Sequence, residues 1–113
     1  MTDIQFIKCA RECAAYTDPD AYVSDLFLST IWGDSPEEEV PASRVAELRA
    51  VWDAVHRPVR DIAFSAGLSQ RKLAERFLIP YRTMENWCGG VSECPLYTRL
   101  MMQRILGLLP EIS

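Results

Sequence analysis

The sequence lacks the features that would place it in a membrane or mark it for export. No apolar run approaches the roughly 18 residues that span a bilayer, and runs such as 26–28 end after a few positions. The first residues carry neither the basic segment nor the long apolar stretch of a signal peptide. We therefore expect a cytoplasmic protein without a membrane partner, in which thiols stay reduced.

Signals of β-sheet and of common catalytic sites are also missing. No stretch alternates between apolar and polar residues with the β-branched enrichment that is typical of strands. The chain has no G-x-S-x-G, phosphate-loop or H-E-x-x-H motif. The single histidine, His56, precedes Arg57 at a predicted helix end, where a capping role is expected. We expect an all-α protein that is not an enzyme.

The four cysteines do not have the spacing of a structural zinc site. Cys9 and Cys13 are four positions apart, and Cys88 and Cys94 are six apart, whereas zinc knuckles usually use closer pairs. Buried cysteine is also common as a small hydrophobic residue. We expect no metal and no cofactor; a metal centre completed by His56 and a redox-sensing thiol are the minor alternatives.

Charge is distributed unequally between the two halves of this 113-residue chain of net charge −4. Residues 1–56 contain four basic and eleven acidic residues, a net charge of −7. Residues 57–113 contain eight basic and five acidic residues, a net charge of +3. A basic half can approach a polyanion while the acidic half stays away or meets another partner. Helix faces that simply differ in their solvated charges would give the same counts.

Apolar residues at three- and four-residue steps predict helices in the first half. These helices are expected at 3–15, from Asp18-Pro19 to Gly33, and from Pro41 to Arg57, with one capping-box turn at 35–38. Their apolar stripes are Phe6, Cys9 and Cys13 alongside Ile7, Ala10 and Ala14; Val23, Leu26, Phe27, Thr30 and Ile31; and Val45, Leu48, Val51, Trp52 and Val55. The acidic stretch at 34–39 is the best candidate for a domain boundary, although the sequence is equally compatible with a single compact domain.

The second half of the chain is also predicted to form a series of short helices. Pro58 can open a helix that ends at Gly67, and its inward residues are Val59, Ile62, Ala63 and Ala66. Ser69 can cap a helix over 70–77, and Pro80 can start another that ends at 89–90. A last helix follows Pro95, with one apolar face made of Leu100, Met101, Ile105 and Leu108.

The stretch 68–90 has the pattern of a helix-turn-helix. Ala74 on the first helix is small, which allows the second helix to cross close over it. The crossing angle is expected to be fixed by Leu73, Phe77, Ile79, Met84 and Trp87.

This stretch resembles the helix-turn-helix of the phage-repressor (Cro and xenobiotic-response-element) family, particularly small bacterial and phage-derived members. The matching residues are Gly67-Leu68-Ser69-Gln70, Leu73-Ala74, Ile79-Pro80, Arg82-Thr83, Asn86-Trp87 and Gly89. The resemblance covers about 58–109 and implies a helix-turn-helix DNA-binding domain there. Residues 1–57 lie outside it and are expected to form an acidic helical N-terminal extension.

The chain departs from the family pattern in three ways. Leu78 stands where the family usually has a glycine, and a β-carbon in a left-handed conformation costs on the order of 1 kcal/mol, so a local adjustment of the turn is expected. Cys88 replaces the acid that usually follows the tryptophan. A single helix follows the motif, and the helix at 43–56 is a candidate to replace a missing family helix.

The resemblance implies a DNA-contacting role for the start of the second helix, which enters the major groove in this family. The implied base contacts are Tyr81, Arg82 and Asn86, with Glu85 a weaker candidate, and the implied phosphate contacts are Gln70, Arg71 and Thr83. Additional attraction is expected from Lys72, Arg76 and Arg99. As an alternative, Arg82 and Glu85 could form a surface ion pair on a helix-turn-helix that contacts only protein.

We therefore expect a sequence-specific transcriptional regulator, a repressor that occupies its operator on double-stranded DNA. A homodimer is expected because one copy would neutralise few phosphates. Its candidate interface is on the N-terminal helices, with Phe6, Ile7, Phe27, Ile31 and Trp32, which could equally cap the DNA-binding body. The alternative function is an interaction protein, an antitoxin or phage-encoded inhibitor, whose acidic residues 1–57 bind another protein.

Overall fold

The computed structural model of the chain describes residues 1–35 and 39–111, and this part of the chain is all-α, as expected. It contains seven α-helices and no strand: α1 (Asp3–Glu12), α2 (Pro19–Phe27), α3 (Ser43–His56), α4 (Val59–Ser65), α5 (Gln70–Arg76), α6 (Tyr81–Cys88) and α7 (Leu96–Ile105). Two 3₁₀ turns lie at Cys13–Ala15 and Thr30–Trp32. Most of the predicted capping-box turn at 35–38 falls outside the described residues. Within them, no helix is both long and apolar enough to cross a membrane.

The chain divides into two compact units. The first comprises Met1–Val55 with Pro110–Ser113, and the second comprises His56–Leu109. The division thus falls close to residue 57, where the predicted N-terminal extension ends. The acidic stretch at 34–39, our other candidate boundary, lies inside the first unit. The second unit has eight basic and four acidic residues, a net charge of +4.

The first unit is built on a core from α1, α2 and α3. Its buried side chains are Phe6, Cys9, Ala10, Cys13, Tyr22, Val23, Leu26, Leu48, Val51, Ala54 and Val55. Phe6 is therefore not available for the dimer interface that the sequence suggested. The Tyr22 hydroxyl donates to the Cys9 carbonyl at 2.8 Å, so the buried phenol is satisfied. Asp18 caps α2 by accepting from the Asp20 amide, and Pro19 occupies the first helical position, as predicted.

The predicted helices of the first unit are too long in two places. The helix expected over 3–15 is α-helical only to Glu12, and Ile7 and Ala14 from its predicted stripe are exposed. The helix expected to reach Gly33 ends at Phe27, so Thr30 and Ile31 do not continue its stripe. Ser29 interrupts it, because its hydroxyl accepts the Ile31 amide and caps the separate 3₁₀ turn. Val45, predicted on the stripe of α3, is also exposed.

The second unit packs α4, α5, α6 and α7 around one apolar cluster. Its buried members are Val59, Ile62, Ala63, Leu73, Ala74, Met84, Cys94 and Met102, with Phe77, Ile79, Tyr81 and Trp87 among the partly buried neighbours. The inward residues predicted for α4 are therefore confirmed, except that Ala66 is only half-buried. Ala74 and Met84 lie in this common core, as the predicted close crossing requires.

The buried face of α7 differs from the predicted one. Met101 and Ile105 of the predicted apolar face are exposed, whereas Met102 and Gln103 are buried. Burial of a polar Gln103 is possible because the Arg57 Nη1 donates to its Oε1 at 2.7 Å. This partner is 46 positions away in sequence, so helical periodicity alone does not reveal it.

The four helices of the second unit all end in the same hydrogen-bonded motif. The amides of Leu68, Ile79, Val91 and Leu108 donate to the carbonyls of Ala63, Ala74, Asn86 and Gln103, respectively. Each motif needs one residue in the left-handed conformation, which is glycine at 67, 90 and 107. At the end of α5 this residue is Leu78, with φ of 55°. The turn therefore keeps the standard geometry despite its β-carbon and is not adjusted around it.

Candidate nucleic-acid interface

The helices α5 and α6 are held in fixed positions by their caps and by the core between them. Ser69 caps α5, as predicted, because its hydroxyl accepts the Lys72 amide at 3.1 Å. Pro80 stands at the N-cap of α6, and residues 77–80 connect the two helices. Ala74 from α5 and Met84 from α6 pack in the same cluster, so the rotation of each helix about its axis is determined by burial.

The side of α6 that faces away from this core carries three of the predicted base-contacting residues. Successive residues of an α-helix are about 100° apart, so Arg82 and Asn86 lie roughly 160° from the fully buried Met84. Arg82 and Glu85 are exposed, and Asn86 is half-buried. Arg82 and Asn86 therefore lie about 40° apart on the side opposite Met84, and the exposed Glu85 lies on the flank of that side, about 100° from Met84.

Tyr81, the fourth predicted base contact, also has a structural role. Its half-buried ring packs against the core cluster, and the Arg71 Cζ lies 4.1 Å from the ring centroid. This cation–π contact is worth about 0.5–1 kcal/mol at an exposed site. The contact holds a cationic side chain of α5 against the first residue of α6.

The remaining predicted phosphate contacts lie near the starts of the same two helices. Gln70 is the first residue of α5, Thr83 is in the first turn of α6, and both side chains are half-buried. Lys72 and Arg76, expected to add general attraction, are exposed on α5. Arg99, the third of these residues, also has a structural role, because its Nη1 donates to the Arg57 carbonyl at 2.9 Å and its Nε to the Cys94 carbonyl.

The alternative pairing of Arg82 with Glu85 does not form in this structure. None of the ion pairs found in the described part of the chain joins these two side chains. Both are exposed one turn apart on α6. The guanidinium of Arg82 is therefore not held by its neighbouring acid.

Three of the four cysteines, Cys9, Cys13 and Cys94, are buried. All four are free thiols, and burial raises the pKa of Cys9 and of Cys94 to about 11. These two thiols are protonated at neutral pH. The Cys88 thiol, half-buried at the end of α6, donates to the Met84 sulfur at 3.8 Å. No group of three or more His, Cys, Asp or Glu residues within 1–35 and 39–111 could hold a metal ion.

Sequence reasoning missed Arg44, a buried charge in the first unit. Its guanidinium donates to both carboxylate oxygens of Asp34, at 2.6 and 3.0 Å, and to the Phe27 carbonyl. It also lies 4.2 Å from the ring centroid of Trp32. The hydrogen bond from Arg44 lowers the pKa of Asp34. The available signal was that Arg44 precedes the buried Leu48 by one helical turn, which places a charge on the inward face of α3.

Comparisons with protein-family models, with curated proteins and with solved structures find no match to this chain. The features of the molecule that bear on its function are therefore the outward side of α6, the Arg71–Tyr81 contact and the positive charge of the second unit.

Proposed function

We propose that the second unit binds double-stranded DNA sequence-specifically, with α6 in the major groove, and that the protein regulates transcription by occupying an operator. The observation that carries this proposal is the outward side of α6. Arg82 and Asn86 lie there, opposite the buried Met84. These are the side-chain types that can read a purine through two hydrogen bonds.

The chemistry of base reading follows from the three outward side chains. The guanidinium of Arg82 can donate to O6 and N7 of guanine, and the amide of Asn86 can both donate to N7 and accept from N6 of adenine. The Glu85 carboxylate can accept from N4 of cytosine. An α-helix with its side chains is about 10–12 Å across and fits the major groove, which is about 12 Å wide.

Phosphate contacts would fix the register of α6 in the groove without reading sequence. Arg71, stacked on Tyr81, and Thr83 lie next to the base-reading positions, while Gln70 and Lys72 lie at the start of α5. Because these cations are few, the affinity of one copy for DNA is low. The affinity falls as the salt concentration is raised, and it falls more steeply the more phosphates the protein neutralises.

Binding of a protein partner by residues 1–57 is the second hypothesis from the sequence. It is supported by the net charge of −7 on residues 1–56. Charge alone does not select a partner, whereas α6 presents defined donors and acceptors in a fixed orientation. DNA binding is therefore the function that the geometry favours.

Replacement of one outward side chain tests whether α6 contacts the bases of DNA. Arg82→Ala should weaken binding to the preferred duplex by about 1–3 kcal/mol and relax the preference at one base position. Fluorescence anisotropy on the preferred duplex and on single-position variants measures both effects.

Arg60→Ala is the matched control, because it removes the same charge from an exposed position on α4. It should weaken binding to all duplexes to a similar small extent and leave the base preference intact. If the two variants behave alike, Arg82 does not read a base and the assignment of α6 is wrong.

A further inference from the structure

Tyr81, the first residue of α6, does not share the outward side of that helix with Arg82 and Asn86. At about 100° per residue, its side chain leaves the helix roughly 60° from that of the fully buried Met84, whereas Arg82 and Asn86 lie roughly 160° from it. The ring of Tyr81 is half-buried and packs against the core cluster of the second unit. Tyr81 therefore faces a different direction from the two base-reading candidates.

The exposed side of the Tyr81 ring supports the guanidinium of Arg71. The Arg71 Cζ lies over the ring, 4.1 Å from its centroid, and Arg71 is otherwise exposed on α5. The negative face of an aromatic ring attracts a cation, and a planar guanidinium that stacks on a ring keeps its N–H donors at its edge. The ring therefore restricts the position of the cation without using its hydrogen-bond donors.

No acid in the described part of the chain neutralises Arg71. Glu75 follows it by one helical turn on α5, and Glu85 follows Tyr81 by one turn on α6, yet none of the ion pairs found there includes Arg71. A guanidinium can donate two parallel hydrogen bonds to a phosphate group. Arg71 is thus both held in place and open to an anion.

We propose that Tyr81 is a positioning residue of the DNA-binding site: its ring holds Arg71 for a contact with a DNA phosphate, and Tyr81 itself reads no base. This role rests on the proposed function of the second unit. An arginine that is ordered before DNA arrives loses less side-chain freedom on binding, so the phosphate contact costs less.

The contact also ties the phosphate contact to the reading helix. Arg71 belongs to α5, whereas the ring that holds it belongs to α6 and precedes Arg82 by one residue. The cation is therefore held at a fixed position relative to Arg82. A phosphate bound by Arg71 would set the register of α6 in the groove, which is what backbone contacts contribute to recognition.

A double-mutant cycle on the preferred duplex, selected from a random pool, tests this role. Tyr81→Leu keeps an apolar side chain for the core and removes the ring. It should weaken binding about two- to fivefold, which corresponds to the strength of an exposed cation–π contact. In an Arg71→Ala protein the same replacement should change the affinity by less than about 1.5-fold, because no cation is left to hold.

Two further variants serve as controls. Arg76→Ala removes the same charge from another exposed position of α5, and neither of the cation–π contacts in the described residues involves Arg76. Its effect and that of Tyr81→Leu should therefore multiply. Tyr81→Phe keeps the ring without the hydroxyl and should bind like the wild type. Circular dichroism checks that all variants fold.

Salt dependence and base preference give the second measurement. Arg71→Ala should reduce the slope of log affinity against log salt concentration by about 0.9, the contribution of one phosphate. Tyr81→Leu should leave the preference at every base position unchanged, whereas Arg82→Ala should relax one position. Fluorescence anisotropy between about 0.05 and 0.2 M salt measures both quantities.

Four results would each overturn the positioning role while the proposed function stands. Tyr81→Leu could weaken binding equally with and without Arg71, as a purely structural ring would. Tyr81→Phe could weaken binding as much as Tyr81→Leu, which would assign the contact to the hydroxyl. Tyr81→Leu could relax a base position, or Arg71→Ala could leave the salt slope unchanged. A wild-type protein that prefers no duplex would instead refute the proposed function, and the positioning role with it.

Discussion

The residue under greatest backbone strain in the second unit is Leu78. Its φ of 55° is the left-handed conformation that ends α5, where the three other helices of the unit use glycine. The side chain is 91% exposed, so it contributes almost no packing to offset the strain. A β-carbon in this conformation costs roughly 1–2 kcal/mol. The sequence already indicated this position, because it interrupts an otherwise matching motif.

Leu78→Gly should raise the free energy of unfolding by about 1 kcal/mol, since relief of the strain exceeds the added entropy of the unfolded chain. Leu78→Ala keeps the β-carbon and should leave stability nearly unchanged. Urea unfolding of the three proteins measures the differences. A glycine variant no more stable than the alanine variant would show that Leu78 is not strained.

The buried thiols predict a loss of stability at alkaline pH. Burial raises the pKa of Cys9 and Cys94 from 9.0 to about 11. Between these values the unfolded thiols lose their protons while the folded ones keep them, so the free energy of unfolding falls as pH rises from about 9 to about 11. Denaturant midpoints across this interval should fall less in Cys94→Ala than in the wild type. If the midpoints of both proteins fall equally, Cys94 does not contribute to the loss of stability at alkaline pH.

At the scale of elements, the sequence predicted helix starts better than helix ends and faces. Asp18 and Ser69 cap helices as expected, because capping depends on residues a few positions apart. The buried face of α7 depends on a tertiary partner, whereas the break after Phe27 comes from the local Ser29 cap, which the apolar spacing did not indicate. In α7 the decisive partner is Arg57, which satisfies Gln103 and allows the polar residue to be buried.

The same distinction applies to the candidate interface. The small Ala74 and the apolar Met84 indicated which sides of α5 and α6 face inward, so the outward position of Arg82 and Asn86 could be predicted. The stacking of Arg71 on Tyr81 could not be predicted in this way, because it joins residues on different helices. The sequence also could not show which face of α7 is buried, since the exposed Met101 and the buried Met102 are adjacent and chemically identical.

Arg44 joins α3 to the segment that follows α2, and its replacement should destabilise the first unit. Arg44→Lys loses the two-pronged contact with Asp34 and should lower the free energy of unfolding by about 2 kcal/mol. Arg49→Lys is the control, because its contact with Asp20 is exposed and should matter by less than about 1 kcal/mol. Equal losses in chemical denaturation would contradict a special role for Arg44.

At the scale of the whole molecule, the acidic first unit should weaken non-specific DNA binding by the basic second unit. Residues 56–109 alone, with net charge +4, should bind mixed-sequence duplex more tightly than the full chain of net charge −4 near 0.01 M salt. The difference should shrink at about 0.1 M, where the screening length falls from about 30 Å to about 10 Å. Anisotropy measures it, with circular dichroism to confirm that the fragment folds. A fragment that binds no better at low salt would contradict this prediction.

The most direct test of DNA recognition is the selection of bound sequences from a random duplex pool at about 0.1 M salt. We expect an enriched palindrome with half-sites about one helical turn apart, and a relaxed position in the sequences that Arg82→Ala selects. A wild-type protein that enriches no sequence would show that α6 does not read DNA.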